Sequence, residues 1–94
     1  MSIKSFMCMG HKVKIRYVKK LRGGLLGDCD PDKHLLKVVT HKTEKLPDST
    51  IEHSRLHEQV HYWLKLLGRE ELYKDEAFVD GMAGLLAQYE ATKE

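Results

Sequence analysis

The segment His57-Glu58-Gln59-Val60-His61 sets two imidazoles four residues apart with a carboxylate between them. On an α-helix, residues four apart lie one turn apart on the same face. Two imidazoles so placed can bind one Zn2+, and Glu58 can point at the metal's open position, where a carboxylate can take a proton from water. Zinc needs a third protein ligand. Glu76-Ala77-Phe78-Val79-Asp80 supplies two more carboxylates at helical spacing. Glu76 is the expected third ligand. Asp80 is the expected acceptor for the N–H of a ligating histidine, a bond that fixes the tautomer and raises the basicity of the ring. Two nitrogens and one oxygen also accept divalent ions other than zinc.

The remaining residues of similar chemistry have plainer readings. His53 extends the four-residue series by one turn and is expected at the surface or on a pocket rim, outside the ligand set. Glu76 also suits the first turn of a helix, where an acid meets the positive end of the dipole. Cys8 and Cys29 are soft donors without paired spacing, and they read as inert thiols. His11, His34 and His41 are isolated and are expected at the surface. Trp63, Phe78 and Met82 read as core before substrate pocket.

These groups need elements to carry them. In Lys12-Val13-Lys14-Ile15-Arg16-Tyr17-Val18 the apolar residues alternate with bases, the pattern of a strand with one buried face. Arg22-Gly23-Gly24 and Asp30-Pro31-Asp32-Lys33 are turn signals. A second strand is expected near Leu25-Leu26-Gly27-Asp28, and a third over residues 34–40. Short links between three strands predict an antiparallel meander over residues 11–41. The period then changes. Ser49 and Glu52 have capping-box spacing, and Ile51, Leu56, Val60, Trp63, Leu64 and Leu67 recur every three or four residues. Gly68 suits the left-handed residue that ends a helix. A helix is therefore predicted over 48–68, an acidic link over 69–74, and a second helix over 75–92. Phe78, Val79, Met82, Leu85, Leu86 and Tyr89 are its expected apolar face. The fold class is α+β: a small three-stranded antiparallel sheet followed by two packed helices.

At 94 residues the chain is expected to form a single domain, residues 1–94. Apolar residues at 41% and charged residues at 32% exclude a disordered or collagen-like chain. No run has the length of a membrane span or a secretory signal. Two cysteines are too few for a disulfide framework and read as reduced thiols of a cytoplasmic protein. Residues 1–47 hold eleven Lys/Arg against four acids, and residues 48–94 hold five against ten. Such asymmetry can mark nucleic-acid binding. The basic residues are not interleaved with stacking aromatics, so a basic sheet face beside an acidic helical half is the preferred reading.

His57-Glu58-Gln59-Val60-His61 followed by Glu76-Ala77-Phe78-Val79-Asp80 resembles the gluzincin pattern of zinc metallopeptidases. The layout of short sheet, motif helix and glutamate helix resembles very small metallopeptidase-like proteins of phages and prophages. The motif resemblance spans about residues 49–90. It implies His57, His61 and Glu76 as zinc ligands, Glu58 as general base and Asp80 as the carboxylate behind a ligating histidine. It also implies that an edge strand, expected at residues 34–40, holds an extended peptide by main-chain pairing. Tyr73, Tyr62 and Arg69 are the candidates for steadying the oxyanion. The chain is far shorter than the larger members, which removes most of a usual substrate cleft.

The expected function is therefore hydrolysis of a peptide or protein substrate by metal-activated water. The competing reading is a non-catalytic module in which zinc binding supplies folding free energy and the surface binds a protein partner. A nucleic-acid-binding protein using the basic half is the third reading. The oligomeric state is open.

Overall fold

A computed structural model describes residues 3–94. Four strands come first: β1 (Ser5–Cys8), β2 (His11–Val18), β3 (Gly27–Asp30) and β4 (Leu35–Val39). Three helices follow: α1 (Asp48–Leu66), the single turn α2 (Glu70–Tyr73) and α3 (Glu76–Thr92). The fold is α+β, with a sheet richer than the expected meander.

Two features of the sheet differ from the expectation. The first is β1, which pairs antiparallel with β2 through a tight turn at Met9-Gly10. Both turn residues have positive φ, 48° and 84°, as a two-residue hairpin turn requires. Met9-Gly10 lacks the Asn or Asp that usually signals such a turn, and Ser5-Phe6-Met7-Cys8 is too short to show a period. The second is strand order, which is β1-β2-β4-β3. β4 lies parallel to β2 and antiparallel to β3. A meander would place Gly-Asp-Cys-Asp of β3 between its neighbours. Leu36 and Val38 are fully buried instead, so the apolar β4 takes the centre and the polar β3 takes the edge. Residues 34–40 are therefore not an edge strand, and β3 is.

One face of the sheet receives α1. Val13, Ile15, Leu36 and Val38 pack there against Ile51 and Tyr62, with Phe6, Trp63 and Leu66 around them. Lys12, Lys14 and Arg16 alternate with the buried residues of β2 and are exposed. The fully buried Tyr62 places its hydroxyl 2.6 Å from Nδ1 of His34. His34 also stacks on His11 at 4.3 Å, so neither histidine is isolated.

The start of α1 does not use the expected capping box. Pro47 precedes the first turn, and its carbonyl accepts from the N–H groups of Thr50 and Ile51. Glu52 is drawn instead to the buried Arg55, whose Nε donates to it at 2.8 Å. At the far end Gly68, with φ of 71°, turns the chain out of the helix. The link continues as α2, and Asp75 then caps α3 by accepting from the Phe78 N–H at 3.0 Å. Val60 and Leu64 of α1 meet the fully buried Val79 of α3, with Met82 and Leu86 beside them. Ala83 of α3 is also fully buried, whereas Phe78, Leu85 and Tyr89 are exposed. No helix among the described residues is long and apolar enough to cross a membrane.

A leucine of the sheet centre and an exposed leucine of α3 make a paired test. Leu36→Ala should cost about 2–5 kcal/mol, the usual range for truncating a buried leucine. Leu85→Ala should change stability by less than about 0.5 kcal/mol, as exposed substitutions do. Urea midpoints of the two variants check both values.

Candidate metal centre

His57 and His61 lie one turn apart on α1, with ring centroids 4.9 Å apart. The two helices run antiparallel: His61 meets Glu76, His57 meets Asp80, and His53 lies against Gly84. Glu76 is the first residue of α3, so the capped turn at Asp75 delivers its carboxylate to the histidine face of α1. Oε2 of Glu76 stands 3.1 Å from Nε2 of His57, and Oε1 stands 2.9 Å from Nε2 of His61.

These three residues form a group whose ligand atoms all lie within 4.8 Å of one another, and the group could hold a metal ion. The donor set suits one. Two donors bound about 2.0–2.1 Å from a tetrahedral ion stand roughly 3.3 Å apart, close to the His–Glu separations of 2.9 and 3.1 Å. The histidine side chains are 19% and 11% exposed and the Glu76 side chain 67%, so the group opens toward solvent on the carboxylate side.

Behind His57, its Nδ1 stands 3.2 Å from Oδ1 of Asp80. The same oxygen lies 2.9 Å from Nε2 of His53. These bonds hold the Asp80 carboxyl below its ordinary range, that from His53 being the largest influence. His61 is supported differently. Its Nδ1 is buried without a hydrogen-bond partner, and its ring lies edge-on to Tyr73 at 5.1 Å.

Glu58 points to the other wall. Its side chain presses on β3 at Gly27, where an added Cβ would fall 2.7 Å from Oε2 and 2.9 Å from Cγ. Burial pushes the Glu58 carboxyl up to about 7. His57 pulls it down, while the negative charges of Asp28 and Glu76 add to the rise. Glu58 thus lies where its proton can be exchanged near neutral pH.

A cleft of about 1250 Å3 runs between β3 with its preceding loop and the paired faces of α1 and α3. His57, Glu58, His61, Glu76 and Asp80 all line it. The edge of β3 borders it. Val39 N–H donates to the Leu26 carbonyl, and the pairing runs on through Gly27↔Val38 and Cys29↔Leu36. Antiparallel ladders alternate, so the N–H and C=O groups of Gly27 and Cys29 face away from β4 along the open edge. Cys29 also lines the cleft, its thiol pushed up to about 12 by burial and then by the charges of Glu58, Asp28 and Asp30. It is a neutral thiol at ordinary pH.

Of the three residues considered for an oxyanion, Tyr73 lines the cleft. Tyr62 does not, because it faces the opposite side of α1 and fills the core under the sheet. Arg69 does not either: it precedes α2, and its Nε donates to Glu71 at 2.7 Å. Sequence reasoning placed His53 on a rim without its bond to Asp80. The signal was its place one turn before His57, opposite a helix whose acids have the same spacing. The role of Gly27 as the surface under Glu58 left no signal, since it depends on which strand takes the edge. No family model matches the chain, and no curated protein or solved structure matches it.

Two measurements follow from the Glu58 contact. Gly27→Ala should displace the Glu58 side chain while leaving the His57, His61 and Glu76 group intact; a crystal structure of the variant reads both. In metal-free protein, 13C NMR should find the Glu58 carboxyl titrating near 7. Asp28→Asn should lower that midpoint, because the Asp28 charge acts to raise it.

Proposed function

We propose that the chain is a zinc-dependent peptidase of gluzincin type. One observation carries the reading. Two histidines of α1 and the Glu76 carboxylate of α3 converge at a cleft that also holds the buried Glu58 carboxyl and a free strand edge. Two imidazoles and a carboxylate suit zinc, and they leave a position for water or substrate. When bound there, the metal supplies Lewis acidity to a peptide carbonyl and to water.

The protein's own residues do the rest. Glu58 takes the proton of the attacking water on its carboxylate and returns it to the nitrogen of the leaving amine. Burial raises the proton affinity of this carboxyl, which suits a group that must both take up and release a proton. Gly27 and Cys29 offer main-chain donors and acceptors to an extended peptide laid along β3. Glu58 lies against Gly27 of the same strand, on its side-chain face. Tyr73, on the wall beside His61, is the candidate for steadying the oxyanion. The free thiols of Cys8 and Cys29 support a reducing, cytoplasmic setting.

A second reading has one observation in its favour. Glu76 begins α3 and the histidines belong to α1, so a metal on this group would also join the two helices. A purely structural metal would then supply folding free energy and no chemistry.

Glu58→Gln separates the two. Zinc content should stay stoichiometric, while turnover of a peptide library by the zinc-loaded protein should fall about 100-fold or more, the scale of a lost general base. Equal cleavage by variant and wild type would remove Glu58 from the mechanism. If zinc-loaded wild type cleaves nothing and chelation unfolds it, the structural reading replaces the catalytic one.

A further inference from the structure

The two metal-facing histidines are held in different ways. His61 has no hydrogen bond at its buried Nδ1 and is placed by packing against His57 and Tyr73. His57 has a tether, the Asp80 carboxylate. Asp80 is a weak anchor by itself. Its side chain is 62% exposed, so water competes for its oxygens and the carboxylate can rotate. A second imidazole on the same oxygen, His53, lies nearer to it than His57 does, at 2.9 Å against 3.2 Å.

We propose that His53 is a positioning residue of the metal centre, holding Asp80 so that Asp80 can hold His57 with its Nε2 turned to Glu76 and His61. The inference rests on reading His57, His61 and Glu76 as metal ligands. An ionised carboxylate only accepts hydrogen bonds. Both nitrogens that meet Asp80 must therefore carry protons, Nε2 of His53 and Nδ1 of His57. In the metal-free protein the Nε2 that faces Glu76 carries a proton as well; a metal would displace that proton, and with Nδ1 still protonated toward Asp80 the lone pair of a neutral ring would lie on Nε2. The chain His53–Asp80–His57 thus keeps the proton on Nδ1 and fixes the ring angle, so that Nε2 is the atom left to a metal.

The helix packing makes room for this chain. Gly84 lies one turn beyond Asp80 on α3, and a Cβ built there would sit 3.7 Å from Cε1 of His53. That is ordinary van der Waals contact, so the imidazole lies directly over the glycine. The ring is thereby seated on α3 beside Asp80, although its own backbone belongs to α1.

The test compares His53→Gln with His53→Asn in the full chain. The Gln amide nitrogen stands about where the imidazole Nε2 stands, and the Asn amide stops a bond shorter. Both are polar replacements at a half-exposed position. Metal-stripped wild type and variants are titrated with Zn2+ against a chromophoric chelator. Co2+ visible spectra and metal-free thermal unfolding are recorded alongside. His53→Asn should weaken zinc binding roughly 10-fold, the lower end for loss of a partner behind a ligand, and should alter the Co2+ spectrum. His53→Gln should restore most of the affinity. The metal-free melting temperatures of the three proteins should agree closely. Zinc affinity of His53→Asn within twofold of wild type overturns the inference. So does equal weakening in both variants, which would assign His53 to packing. A wild type that takes up no zinc overturns the ligand reading, and this inference with it.

Discussion

Everything at the candidate centre depends on the antiparallel contact between α1 and α3. Val60 and Leu64 close on Val79, which is fully buried. Burying one such side chain is worth about 1.5–3 kcal/mol, whereas partly exposed charge pairs contribute about 0–1 kcal/mol each. The apolar seam therefore positions the polar cluster, and not the reverse. With the seam in place, a one-turn offset between helices is repeated three times, setting His61 against Glu76, His57 against Asp80 and His53 against Gly84. A metal would add to that arrangement by binding the folded state in preference to the unfolded one.

The sheet supplies the other half of the site through strand order. Because β4 is apolar enough to occupy the centre, β3 is left at the edge with a free row of main-chain groups. An open edge is a liability for aggregation unless it is short or covered. β3 has four residues, two of them aspartates, and its edge faces the cleft. Glu58 is wedged beneath it against Gly27. The same burial that removes solvent from Glu58 raises its proton affinity, so the wall that shapes the cleft also tunes the group within it.

The molecule is two-sided in charge as well as in structure. Lys12, Lys14 and Arg16 project from the face of β2 opposite to α1, while the acids of the second half gather on and around the helices. The cleft lies on the helical side. Burial of one face of β2 accounts for the exposure of three of the eleven bases of the first half.

The sequence by itself determined the two long helices, the strand β2 and the residue types at the site, while β1, too short to show a period, left no signal. Periodicity located α1 and α3 to within a few residues, Gly68 and Asp75 marked where the chain leaves one helix and enters the next, and four-residue spacing put each pair of groups on one helical face. These are short-range facts, set by backbone geometry and by side chains within one turn of each other. Tertiary structure decided what short-range patterns cannot carry. It placed β4 rather than β3 at the sheet centre and turned Tyr62 into the core away from the cleft. It also joined His53 to Asp80 and seated Glu58 on Gly27. Each of these depends on which apolar surfaces compete for burial across the whole chain, and that competition has no signature within any single stretch of it.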